Sequence, residues 1–419
     1  MTLATLLAEA AERVPDRPAL AFEGDCITYA ELDAMAEAAA PANRVVPLPM
    51  PNEPSSVARY HGALRRGAVV VPLSPLLAPA EVELRSRPFE PAPGTAVALF
   101  TSGTTGAPKR IELSHAQLRA NAEYLAQALG VTDDDVLWGS APLSHVFGMT
   151  GCMNMAIAVG AKLALVRRFD PHEALETIER EGVTVFMGVP TMLAALADAA
   201  SDRKRASCLR LAHCGGAPLP LDTLRAFEKS FGVPVYEGYG MTEVGGVVAL
   251  NHVGMPRRPG SVGTAAAGQE LRVADDGEVL VRTECRWLAT GDVGRLDEDG
   301  HLFLLDRKKD VILRGGYSVY PRQVEEALHQ HPSVREAVVV GVPHARLGEE
   351  VVALVVAAPG CSADALREFA RERVAAYAYP RVVVLVDELP RNPSGKILRR
   401  EIDRDALAAF LDPSTGVSH

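Results

Sequence analysis

Residues 151–213 switch repeatedly between two hydrophobic periods, and few architectures accept that pattern. Segments 151–159, 171–181 and 191–200 carry apolar positions at helical spacing, while 162–166, 183–187 and 209–213 are apolar runs of strand length. Strands that alternate with helices pair side by side through crossover helices, so a wound α/β sheet is expected here. Earlier segments fit the same scheme. Helices are expected at 1–14, from Thr28 (a capping box with Glu31) and at 55–66, and strands at 45–48 and 68–73. Residues 41–54 and 88–94 are proline-rich and read as connectors.

The stretch after the second connector carries chemistry. Residues 97–100 form a short buried-strand pattern, and Thr101, Ser102, Gly103, Thr104, Thr105, Gly106 and Lys109 follow. The two glycines let backbone N–H groups turn towards an anion, the hydroxyls add donors without filling space, and Lys109 supplies countercharge. A helix capped by Ser114 and Gln117 comes next, with an apolar stripe of Leu118, Ala122, Leu125 and Leu129. A P-loop needs four residues between its glycines and then Gly-Lys-Ser/Thr, which this stretch lacks. Taken alone it is also compatible with a solvated Ser/Gly loop. The order TSGTTGAPK resembles the phosphate-binding signature of the adenylate-forming superfamily of acyl-CoA synthetases, adenylation domains and luciferases. Members usually have Gly after the lysine. Here Arg110 stands there, either stiffening the loop or adding charge near the triphosphate.

Composition excludes other classes. A chain of 419 residues, 48% of them hydrophobic, is long enough for two or three domains. Lys plus Arg number 43 against 53 Asp plus Glu, a net charge of −10, and only 5% of residues are aromatic, which argues against nucleic acid as a partner. The cysteines at 26, 152, 208, 214, 285 and 361 form no C-x-x-C pair, so neither a disulfide framework nor a zinc site is indicated, and a reducing cytoplasm fits. Glu9 and Glu12 interrupt the N-terminal stripe of Leu3, Leu6, Leu7, Ala10 and Val14, unlike a signal peptide. The longest apolar runs are strand-sized, so no membrane span is expected.

Further motifs extend the resemblance in order. PLSHVFG places His145 where fatty-acyl and related ligases put a His or aromatic residue beside the acid pocket. The Asp that pairs with an amino-acid ammonium in related domains is missing, which implies a non-amino acid. Strand 209–213 leads into Gly215, Gly216 and Ala217, where the backbone can approach a flat ring closely. In VYEGYGMTEVGG, the resemblance assigns Glu237, Gly238 and Tyr239 to the adenine side, Thr242 to the α-phosphate and Glu243 to Mg²⁺, a hard ligand for a hard cation. Residues 260–300 alternate as antiparallel strands. Asp292 of the TGD motif corresponds to the acceptor of the ribose hydroxyls, though an Asp in a Gly-Asp turn is also a common structural element. The segment between Gly277-Glu278 and this motif is shorter than in relatives, as is the block before the phosphate loop.

The charge run 306–310 matches the family hinge, with Arg307 as the ribose-contacting arginine and Lys309 as the pivot. Gly315 and Gly316 match the backbone of the pantetheine tunnel. Beyond them a compact α+β unit is expected: helix 321–329, strands 334–340 and 351–356, helix 362–374 and strand 381–386. Lys396 in PRNPSGK would be an ordinary surface lysine without context. The resemblance makes it the catalytic lysine at the charge that gathers as pyrophosphate leaves.

The fold implied is α/β: a large N-terminal domain of wound α/β sheets plus a small β-barrel-like part (1–305), a hinge (306–310), a small mobile C-terminal α+β lid (311–412) and a tail (413–419). The activity implied is ATP- and Mg²⁺-dependent activation of a carboxylic acid as an acyl-adenylate, then transfer to a thiol, CoA foremost, by a monomer or homodimer. Open alternatives are transfer to a carrier protein or amine, activation of an unusual small acid such as nitrite, and a non-catalytic binding scaffold. The acid depends on packing around Met149, Met153, Val189 and Gly238.

Overall fold

A computed structural model describes residues 2–39, 43–102, 108–200, 208–266, 268–283, 286–391 and 397–411. The chain divides into two compact units, one of residues 1–270 with 298–302, the other of 271–297 with 303–419. The segment 306–310 lies within the second.

The first unit is built on a nine-stranded sheet in the order Thr264–Ala265, Gly246–Leu250, Val235–Met241, Leu211–Cys214, Val185–Gly188, Val136–Gly139, Lys162–Leu165, Pro18–Phe22, Asp25–Thr28. The six strands from Val235–Met241 to Pro18–Phe22 run parallel. Val185–Gly188 and Leu211–Cys214 are buried at every residue, as strands covered on both faces must be. The covering helices have clear ends. Asp170 accepts from the N–H groups of His172 and Glu173 at the start of Pro171–Glu181, and Gly182, at φ +69°, closes it. Trp138, Phe186, Phe227 and Phe231 form a chain of ring contacts 4.5–6.0 Å apart behind this sheet. Truncating any one of these buried rings to Ala would cost roughly 3–5 kcal/mol.

A second sheet of the same unit runs Val45–Pro49, Val69–Leu73, Thr95–Ser102, Pro108–Ser114. Its last pair is antiparallel, and Lys109, read from the sequence as the end of the phosphate-type loop, lies in the strand Pro108–Ser114. Alternation explains it: Ile111 and Leu113 are buried while Lys109 and Arg110 are exposed. Two other elements differ from expectation. Helix Leu221–Phe231 was not anticipated, although Leu224, Phe227 and Phe231 give it a buried stripe. The helix expected at 151–159 begins earlier, as a π-helical stretch Phe147–Asn154 that runs into Met155–Val159. A Cβ on Gly148 would lie 2.3 Å from the Pro142 carbonyl oxygen, so the wide turn is packed directly on the preceding loop.

The second unit holds an antiparallel sheet of Leu271–Val273, Glu278–Arg282, Trp287–Leu296 and Leu302–Arg307. It also holds a five-stranded sheet in which Gly348–Ala357 pairs with Val334–His344, Ile312–Arg314 and Val382–Leu385, and Tyr317–Val319 forms the edge. Helices Pro321–His329 and Ala363–Arg371 pack on one face through Val324, Leu328, Leu366 and Ala370. This is the compact α+β part that the sequence implies.

Candidate functional site

The carboxyl ends of two neighbouring parallel strands, Leu211–Cys214 and Val235–Met241, lead into the residues read as the adenine side and into Thr242 and Glu243. The chain leaves the first through Gly215, whose N–H donates to the Gly188 carbonyl at 3.2 Å, and then exposes Gly216 and Ala217. Gly238 opposite admits no side chain, since a Cβ would lie 2.7 Å from His213 Cε1 and 2.9 Å from Leu250 Cδ1. The Glu237 side chain is buried and accepts from the Leu219 N–H at 3.3 Å, which fastens the 215–219 loop to the second strand. Tyr239, Thr242 and Glu243 are partly exposed.

Thr242 and Glu243 sit on a single 3-10 turn, Thr242–Val244, where Val235–Met241 doubles back into Gly246–Leu250. Asn121, on helix His115–Ala128, donates to the Val244 carbonyl at 3.1 Å and accepts from the Val247 N–H at 3.1 Å. Strand Pro108–Ser114, which carries Lys109, packs against the same turn. The lysine strand and the carboxylate turn therefore share one edge of the first unit. Thr101 pairs with exposed Lys109 across the hairpin. Gly103, Thr104 and Thr105 lie outside the described residues, as does the Ser102 side chain. The Arg110 guanidinium bonds Glu112 at 3.0 Å and lies 3.9 Å from the centre of the Phe89 ring. It thus stiffens the hairpin stem against the proline-rich connector.

His145 is exposed, and its Nδ1 accepts from the Phe147 N–H at 3.3 Å, capping the π-helical stretch. Beneath it Phe147 meets the buried ring of His213, with centroids 5.7 Å apart. Burial pushes the His213 imidazole down to about 4, against a bond to the Tyr236 carbonyl, so at neutral pH the ring carries no charge. Met149 and Met153, expected around the acid, are fully buried in the core.

In the second unit the TGD motif is a β-bulge. Glu278 pairs with Val293 but Leu280 with Ala289, and the surplus residues include Gly291 at φ +74°. Glu278 accepts from the Gly291 N–H at 3.0 Å and from Lys308 Nζ at 2.7 Å, and Lys308 also bonds Asp276 at 2.7 Å. Those two carboxylates hold the Lys308 ammonium above its ordinary range. Asp292 presents its carboxylate to Arg307 Nε at 2.7 Å, so the two residues expected at a ribose lie together. Lys309 is exposed in the turn Lys308–Asp310. Gly315 and Gly316, at φ +58° and +86°, form an exposed two-residue hairpin loop between Ile312–Arg314 and Tyr317–Val319. Lys396 lies outside the described residues.

Two family models match this chain: AMP-binding enzyme at residues 7–92 and 85–286, and AMP-binding enzyme C-terminal domain at 323–396. The chain belongs to the AMP-binding enzyme family. It is thereby a member of the adenylate-forming superfamily. Among its relatives, the long-chain-fatty-acid–CoA ligase of Bacillus subtilis (strain 168) is 30% identical over 526 aligned positions, covering 96% of this chain and 94% of that one. The 2-succinylbenzoate–CoA ligase of Geobacillus kaustophilus (strain HTA426) is 36% identical over 74% of this chain and 69% of its own. Of solved structures, the anthranilate CoA ligase AuaEII in complex with anthranoyl-AMP matches with a TM-score of 0.87 at 25% identity over 98% of both chains. The Bacillus subtilis o-succinylbenzoate CoA synthetase in complex with ATP and magnesium ion matches at 0.82 and 28%, over 95% and 98%.

Within this AMP-binding enzyme, three positioning contacts escaped the sequence reading. Asn121 is a polar residue among the buried Leu118, Ala122 and Leu125 of its helix, and that was its signal. Glu278 and Lys308 looked like an ordinary turn carboxylate and one charge in a run. Only the fold shows that both steady the Asp292 bulge. The first family model's two segments meet at residues 85–92, the connector where the chain reads as shortened.

Proposed function

We propose that this chain activates a non-amino carboxylic acid with ATP and passes the acyl group to the thiol of CoA, acting in the cytoplasm. In the first step a carboxylate oxygen bonds to the α-phosphorus while the bond to pyrophosphate breaks. In the second, the thiolate sulfur bonds to the acyl carbon and AMP leaves.

Each group named above has a role in this reading. Thr101, Ser102, Gly103, Thr104, Thr105 and Lys109 cradle the departing phosphates, and Thr242 contacts the α-phosphate. Glu243 holds Mg²⁺, which offsets phosphate charge when bound. Gly215, Gly216, Ala217, Glu237, Gly238 and Tyr239 form the adenine side, Asp292 and Arg307 hold the ribose, and His145 stands beside the acid. Lys396 neutralises charge in the first step. Lys309 in the 306–310 hinge lets the 311–412 domain turn, bringing Gly315 and Gly316 in for the second.

The observation that carries this is the packing of strand Pro108–Ser114, at whose start Lys109 stands, against the turn Thr242–Val244, which follows the parallel strand Val235–Met241. Ligands of α/β sheets bind beyond the carboxyl ends of such strands. The donor set also fits, because a partly exposed carboxylate on a tied-down turn suits a hard cation, and exposed Gly216, whose Cβ position meets only Val189 at 3.6 Å, leaves room for a flat ring. The test is pyrophosphate release from MgATP over a panel of aliphatic, aromatic, dicarboxylic and amino acids, with and without CoA. Acid-dependent release with thioester formed only when CoA is present supports the proposal. Release driven by amino acids alone, or no release with any acid, overturns it.

A further inference from the structure

Resting on the assignment of Glu243 to the metal, we propose that Asn121 is a positioning residue that ties the Glu243 turn to the helix following the phosphate hairpin. Its amide makes three hydrogen bonds to backbone groups. Nδ2 donates to the Gln117 carbonyl at 2.9 Å and to the Val244 carbonyl at 3.1 Å, and Oδ1 accepts from the Val247 N–H at 3.1 Å. The side chain is buried, with 8% of the residue exposed.

The backbone opposite is shaped to receive it. Gly245 and Gly246 adopt φ of +75° and +147°, and a Cβ on Gly246 would lie 3.3 Å from Asn121 Oδ1. The helix itself is fixed at its start by the Ser114–Gln117 capping box, where the Lys109 strand ends. One rigid path therefore runs from the lysine strand through Ser114, Gln117 and Asn121 to both flanks of the turn bearing Thr242 and Glu243. A bound cation tolerates little variation in ligand position, and groups that orient metal ligands typically govern affinity by about 10- to 100-fold.

Only a primary amide fits these three contacts. Asp would set a carboxylate oxygen against two carbonyl oxygens, and Leu would strand the Val244 carbonyl and the Val247 N–H. The test is calorimetric titration of ATP, with Mg²⁺ and with EDTA, into wild type, Asn121→Asp, Asn121→Leu, Glu243→Gln and the Asn121→Asp/Glu243→Gln double variant. Circular dichroism qualifies each variant as folded, and the isosteric Asp variant is the one read if the Leu variant does not fold. The inference predicts that Mg²⁺ tightens ATP binding in wild type. This gain should fall about tenfold or more in Asn121→Asp, ATP affinity in EDTA should stay within about twofold, and the double variant should bind no more weakly than Glu243→Gln. An undiminished Mg²⁺ gain in Asn121→Asp with a lost gain in Glu243→Gln overturns the inference alone, as do losses that multiply in the double variant. An undiminished gain in Glu243→Gln overturns the metal assignment as well.

Discussion

His61 and His213 are buried, and burial pushes their imidazoles down to about 3 and about 4 from an ordinary 6.5. A folded-state pKa below the unfolded one means that the unfolded chain binds more protons as pH falls through the window between them. The contribution of these two groups to stability is therefore full well above about pH 6.5 and is lost progressively towards pH 4 for His213 and pH 3 for His61. By pH 5 each histidine accounts for a loss of about 2 kcal/mol. Urea unfolding of His61→Leu at pH 7 and pH 5 should show a pH-dependent loss about 2 kcal/mol smaller than in wild type, and an unchanged difference would contradict the burial argument. At this scale the sequence was partly legible. His145, Glu243 and Asp292 stood out because motif neighbours framed them. Asn121, Glu278 and His213 act through backbone groups far away in sequence, and spacing along the chain carries no trace of such contacts.

Among elements, the hairpin Thr95–Ser102 with Pro108–Ser114 was half legible. Its first strand is an apolar run, whereas the second alternates only Ile111 and Leu113 with charged residues, too few positions for a period of two to show. The α/β alternation of 162–200 was the most readable part, because helices of 11 and 10 residues, long enough for their period to show, alternate there with short unbroken apolar runs. The π-helical Phe147–Asn154 was not readable, since the close approach of Gly148 to the preceding loop, where a Cβ would lie 2.3 Å from the Pro142 carbonyl oxygen, is a tertiary feature with no periodic trace. The hairpin yields a prediction. Arg110→Gly removes the contacts to Glu112 and Phe89 and should lower stability by about 0.5–1 kcal/mol, the scale of an exposed cation–π contact. If stem stiffening is its role, the apparent KM for ATP should stay within about twofold. A KM several-fold higher would instead place this arginine on the triphosphate.

For the whole molecule, the proposal that one small domain serves two half-reactions in turn predicts variants that fail differently. Lys396→Ala should slow adenylate formation by about 10²–10³, the scale for deleting one donor aimed at developing charge, while transfer from presynthesised adenylate survives. Gly316→Leu strains a turn residue at φ +86° but meets open space, so the domain should fold, with adenylation retained and thioester formation lost. Equal impairment of both steps in both variants would contradict domain alternation.

If a carboxylate oxygen attacks the α-phosphorus, oxygen isotope transfer from acid to AMP must follow. An acid chosen from the panel, labelled with ¹⁸O in both carboxylate positions, is turned over with MgATP and CoA, and the products are weighed by mass spectrometry. The account predicts AMP carrying one ¹⁸O atom, unlabelled pyrophosphate and a thioester retaining the other label. ADP with labelled inorganic phosphate, or AMP without label, would contradict it.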